Sequence, residues 1–310
     1  MGRRLRFVPQ GGALVEVTCR TIQGRFLLRP SDRLRDLTLG VLARAACLYP
    51  VEVHAFVFMS NHYHLLLSVP NAQHLAQFMG YLNSNLAREI CRVTGWRDKV
   101  WSRRYQAIVV SIEAEAQVAR LRYILAHGVK EGLVEHPSEW PGPHSVSALL
   151  DGSPLQGVWF DRTGEWKARQ RNEPFHPPQY TTREVLALSP LPCWADYSTI
   201  SQRKLVSELL EAICLELQSR KTSKSEYSKR ISGVLSRHPH DRPRQLKITP
   251  APLFHCATRN ASDELRRAYR WFVMAYKEAA DRVRSGHQSV SFPPGSFPSR
   301  LPFVPDLLAT

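Results

Sequence analysis

The chain has 310 residues, 43% of them apolar, and a formal net charge of +15 with an isoelectric point near 9.9. No run reaches the ~18 apolar residues that a membrane span needs, and the basic start lacks the apolar core of a secretion signal, so a cytoplasmic protein with no membrane partner is expected. The six cysteines are scattered without a C-x-x-C pair, which argues against a disulfide framework or a Cys-rich zinc module, and the positive field favours a polyanion, nucleic acid first.

Apolar residues alternate over 13–22 and predict a strand. Helical spacing of Leu34, Leu37, Val41, Leu42 and Ala45 predicts a helix over 32–49, with Asp32 as N-cap. Residues 51–58 and 63–69 read as strands joined by the short turn Met59-Ser60-Asn61. A long helix is expected over 73–93, closed near Gly95, then a strand over 105–111 and a helix over 113–127 with Ser111 as a possible N-cap. The order β-α-β-β-α-β is that of a split-βαβ, ferredoxin-like α+β sandwich. It predicts one antiparallel sheet with two helices on one face and the last helix near the other.

Prolines then break up any long regular element, and residues 148–182 read as a Pro-rich linker or arm. Residues 183–310 read as a mainly helical, basic C-terminal region, with amphipathic helices over 203–220 and 262–284. Between them, 220–247 carries nine Lys or Arg against Glu226 and Asp241, a solvated charge run or an arm for DNA.

Side chains alternate across a strand, so His62 and His64 share one face and present two imidazoles to one point, as a metal site requires. Two unrelated histidines on an exposed strand face are the alternative. A second pair, His238-Pro239-His240, sits beside proline in a basic stretch and reads as solvated. On a helical wheel, Val118, Leu121, Ile124 and Leu125 form a core stripe, while Ala116, Arg120, Tyr123 and His127 gather on the other side. Tyr123 and His127, four apart, are neighbours. A nucleophile, a third metal ligand and a cation thereby share one face, unless that face is merely a polar surface.

Residues 58–67, FMSNHYHLLL, resemble the MPNHxHLLL signature of the HUH-class single-tyrosine transposases. Residues 101–110, WSRRYQAIVV, resemble that family's WQxRYxAxLV strand, and 122–134, RYILAHGVKEGLV, its RYIxxNPVxxGLV helix end. The resemblance covers about 10–147 and is nearest to the transposases associated with repetitive extragenic palindromes (REP). It implies an RRM-like HUH endonuclease core in 1–147 that cleaves and rejoins single-stranded DNA, with palindromic or hairpin ends, through a 5′-phosphotyrosine link. Tyr123 would be the nucleophile, with Tyr105 as rival. His62 and His64 would bind Mg²⁺ or Mn²⁺.

The family's Asn-Pro is His127-Gly128 here, and a third imidazole tilts the site towards Mn²⁺ or even Zn²⁺. Ser60 replaces the usual proline. Phosphate contacts are expected from Arg88, Arg92, Arg97, Lys99, Arg103 and Arg104, with Arg120 beside the tyrosine. Trp96 and Trp101 would either stack on unpaired bases or pack in the core. Such a protein would be nucleoid-associated when bound to DNA and would act as a monomer or a homodimer. A domesticated, non-catalytic DNA-binding protein and a hydrolase using water are the competing readings.

Overall fold

The computed structural model describes residues 4–171, 176–218, 224–244, 251–287 and 289–296. Alternating apolar residues form strand β1 (Ala13–Arg20), and helix α1 (Asp32–Leu48) follows. Strands β2 (Glu52–Phe58) and β3 (His62–Val69) form a hairpin, followed by α2 (Ala72–Thr94) and β4 (Gln106–Val110). Two helices come next, α3 (Ala114–Leu125) and the single turn α4 (His127–Lys130). The sheet runs β2-β3-β1-β4, antiparallel throughout. This is the α+β arrangement that the order of elements predicts.

One face buries Val15, Val17, Phe56, Tyr63, Leu65 and Leu67 against Leu34 and Leu42 of α1 and Phe78, Leu82 and Leu86 of α2. The other buries Leu14, Ala55, Val57, Leu66 and Val110 against Leu121, Ile124 and Leu125 of α3. Two caps differ from expectation. Ser31, not Asp32, caps α1, because its hydroxyl accepts from the Leu34 N–H. Ser111 does not cap α3: its hydroxyl donates to the Glu113 carboxylate, and Glu113 takes the cap position without a side-chain bond. The helix expected over 113–127 breaks at Ala126, so His127 opens α4.

Beyond this core lie α5 (Val146–Asp151), β5 (Leu155–Phe160), α6 (Arg162–Gln170) and β6 (Thr181–Leu186). Within the stretch read as a linker or arm, the described residues form β5, α6 and the start of β6. β5 and β6 pair as a separate two-stranded sheet against α1. Contact is backbone to backbone: a methyl group on Gly40 of α1 would run into the Val158 carbonyl, and one on Gly157 into the Asp36 carbonyl. Arg162 of α6 makes two 2.7 Å bonds to the buried carboxylate of Glu89 on α2.

The C-terminal region contributes α7 (Thr199–Gln218), α8 (Lys224–Leu235), β7 (Phe254–His255) and α9 (Arg259–Arg284). α7 packs Val206, Leu210 and Ile213 into the α3 side of the core. β7 pairs in parallel with β4 and becomes the fifth strand of the main sheet. Of the basic stretch 220–247, residues 224–244 are described. His238 is exposed there, but His240 is half-buried, bonded to the Thr94 carbonyl at the end of α2 and packed on Trp96. The solvated reading therefore holds for His238 and fails for His240, because the C-terminal end of α2 leaves carbonyls to be satisfied. Among the described residues no helix is long and apolar enough to cross a membrane.

Candidate metal and nucleophile site

β3 places His62 and His64 on the face that α3 and α4 cover. His64 pairs across the sheet with Thr18 of β1, and His62 with Arg20. The break at Ala126 turns His127 inward, where it is buried. The three rings converge, with centroids 4.6–5.3 Å apart. One ring nitrogen from each lies within 4.8 Å of the other two.

Neighbouring groups fix which nitrogens face the centre. The Asn61 amide nitrogen donates to the Gly24 carbonyl, so its oxygen accepts from His62 Nδ1 at 2.6 Å. His64 Nδ1 donates to Oε1 of Glu16 at 2.9 Å. Both histidines are thereby set with Nε2 as the free lone pair. His62 Nε2 lies 2.8 Å from His127 Nε2, while the buried Nδ1 of His127 has no partner. Burial first, and then the neighbouring imidazoles, hold His62 and His127 well below the usual histidine value. They are neutral at neutral pH, the form that binds a metal. The donor set fits a divalent transition metal: three imidazole nitrogens, two of them oriented, and one unpaired buried nitrogen on the third ring.

Tyr123 is half-buried beside this cluster, its ring centroid 5.4 Å from those of His64 and His127. Arg120 lies over that ring at 5.0 Å and Lys130 at 4.6 Å. Burial and the charge of Glu16 push the Tyr123 hydroxyl above its usual value, and Arg120 opposes them. Glu16 is itself buried on the same face of β1. Its burial would raise its carboxyl, but the hydrogen bonds and charges of His255 and His64 outweigh that and hold it far below the ordinary range.

Not every expected residue comes here. Tyr105 precedes β4 and points to the α1–α2 face, with a buried hydroxyl that has no hydrogen-bond partner. Strand alternation thus separates the rival tyrosine from the imidazoles. Trp101 packs edge-on against Tyr63 and donates to the Asn83 carbonyl, and Trp96 lies between Arg25 and His240. Both rings are half-buried and engaged within the protein.

Arg88, Arg92, Arg97, Lys99, Arg103 and Arg104 are exposed on α2 and on the connection to β4. Of these, Arg104 also donates to the Arg4 carbonyl. Of the expected cations, Arg120 alone lies over the tyrosine. The sequence reading missed Glu16, Asn61, Lys130 and His255. A carboxylate inside an apolar strand was the signal for Glu16. A cavity of about 980 Å³ lined by Leu14, Tyr49, Val69 and Leu265 lies at the other end of β1 and includes none of these residues.

Residues 27–127 match the family model of IS200-like transposases. The matched segment contains His62, His64, Tyr123 and His127, and leaves Glu16 and His255 outside. No curated protein matches the chain. Among solved structures, the chain is similar to a REP-associated tyrosine transposase bound to a REP hairpin, at 17% identity over 48% of this chain and 85% of that one, with a TM-score of 0.38. It is also similar to a Deinococcus radiodurans R1 protein assigned provisionally as a transposase, at 22% identity over 39% of this chain and 95% of that one, with a TM-score of 0.27.

Proposed function

We propose that the protein is a metal-dependent transposase that cuts and rejoins single-stranded DNA, with hairpin or palindromic ends, through a phosphotyrosine at Tyr123. The observation that carries this reading is the meeting of three imidazoles and one tyrosine on a single buried face. His62, His64 and His127 would hold Mn²⁺ or Mg²⁺. When bound, that ion supplies positive charge to a scissile phosphate and to the developing phenolate. Residues 1–147 would carry this chemistry.

The side chains divide the remaining work. Tyr123 loses its proton to solvent, helped by the guanidinium of Arg120 against the pull of burial. Its oxygen bonds to phosphorus while the bond from phosphorus to the 3′ oxygen breaks, and that oxygen takes up a proton and leaves as a hydroxyl. Arg120 and Lys130, over the ring, are placed to balance the phosphate charge. Attack by another 3′-hydroxyl reverses these steps and joins a new strand. Arg88, Arg92, Arg97, Lys99, Arg103 and Arg104 would hold the backbone of the DNA.

The test is incubation with MnCl₂ and single-stranded hairpin oligonucleotides, followed by denaturing electrophoresis. The expected result is a denaturation-resistant protein–DNA adduct that Tyr123→Phe abolishes while DNA binding stays within about two-fold. Cutting without an adduct would make the protein a hydrolase, and binding without cutting would make it a non-catalytic binder.

A further inference from the structure

Glu16 is shared by three groups. One oxygen, Oε1, accepts from His64 Nδ1 at 2.9 Å. The other, Oε2, accepts from Arg120 at 3.5 Å and lies 2.8 Å from His255 Nε2, a close contact outside hydrogen-bond alignment. His255 lies outside the residues that match the family model; it arrives on β7.

The chain fixes that arrival from both sides. His255 sits opposite Val110 in the parallel ladder, and its carbonyl accepts from the Ser111 N–H at 2.8 Å. Directly after it, the Ala257 and Thr258 N–H groups donate to the Glu113 carboxylate. Directly before it, Phe254 packs edge-on against Phe7 and Tyr269. A two-residue strand this firmly tied holds one imidazole against one buried carboxylate.

We propose that His255 is a positioning residue for the metal site: by occupying Oε2 of Glu16 it holds Oε1 against His64 Nδ1, which keeps His64 Nε2 turned to the metal. A buried carboxylate with an unsatisfied oxygen rotates or recruits another donor, and the imidazole it orients turns with it. The inference deepens the metal reading of the site and rests on it. Groups that orient a ligand typically change metal affinity by about 10–100-fold when removed.

Two measurements on the full-length chain test it. Long-range ¹H–¹⁵N spectra of ¹⁵N-histidine-labelled protein without metal report the His64 tautomer. The wild type is expected as Nδ1–H, and His255→Ala as a mixture or as Nε2–H. Calorimetry with MnCl₂ is expected to show affinity falling about ten-fold or more in His255→Ala. His255→Gln, whose amide can reach Glu16, should return to within about three-fold of wild type. Gly157→Ala, which strains the contact of β5 with α1 away from this site, should lower Tm and leave the Mn²⁺ affinity within about two-fold.

Should the alanine variant fail to fold, His255→Phe fills the space without a donor and carries the same expectation. The proposal is overturned if wild-type His64 is Nε2–H. It is also overturned if the variant without a donor keeps both tautomer and affinity, or if Gly157→Ala weakens Mn²⁺ as much as His255→Ala does. Failure of the wild type to bind Mn²⁺ would sink the metal reading, while the tautomer spectra would still decide the role of His255.

Discussion

His54 sits on β2 away from the imidazole cluster and gives a pH dependence that does not involve the metal site. Its Nδ1 donates to the Ser189 carbonyl at 3.1 Å, and its Nε2 accepts from the Ser68 hydroxyl at 2.7 Å. Burial holds its pKa below the ordinary 6.5. The unfolded chain therefore binds a proton near 6.5 that the folded chain refuses. Stability from this group is complete above 6.5 and is lost as pH falls from there towards the folded value, by at most about 1.4 kcal/mol per pH unit. Melting curves from pH 8 to pH 5 should show Tm declining below 6.5, with a shallower decline in His54→Gln; identical slopes would refute the assignment. The same physical facts explain what single residues disclosed in advance. Periodicity put His62 with His64 on one strand face and Tyr123 with His127 on one helix face, but did not show the break that turns His127 inward. Glu16 was not legible, because periodicity marks its position as inward without saying which group would neutralise it there. His255 was hidden more deeply, since nothing near it in the chain points to a sheet that ends with Val110.

Individual elements were read well where the pattern was long and poorly where the packing partner decided. The helices over 32–48 and 72–94 and the four strands of the central sheet follow their apolar spacing. The hairpin of β5 and β6 does not, because proline-rich stretches suggest irregularity and only the proximity of α1 makes short strands worth forming. Gly40 and Gly157 permit that proximity. Gly40→Ala and Gly157→Ala should each lower stability by about 1–3 kcal/mol through overpacking. Combining them should cost less than the sum, since both changes relieve the same clash by separating α1 from β5. Urea unfolding of the three variants checks this, and additive losses would mean the two glycines act separately. α3 taught a similar lesson: its core stripe of Leu121, Ile124 and Leu125 was correct, but the break at Ala126 that turns His127 inward left no mark in the apolar pattern.

Across the whole molecule, the charge of +15 is the feature that any single-stranded DNA would meet first. Arg97, Lys99 and Arg103 are exposed on the connection between α2 and β4. If they touch phosphates, replacing all three by alanine should weaken binding of an oligonucleotide at low salt. It should also flatten the plot of log K against log salt by about 0.7 for each phosphate that is no longer neutralised. An unchanged slope would move the DNA track elsewhere on the surface. One further consequence concerns the order in which the protein is made. β1, with Glu16, leaves the ribosome early, and the imidazoles and Tyr123 follow, but β7 is synthesised only much later in the chain. Pairing between strands so distant in sequence closes a long loop and belongs among the late folding events. On the proposed role of His255, a nascent chain that already carries His62, His64, Tyr123 and His127 still lacks the strand that orients His64, and that contact is timed to the end of folding instead of the start.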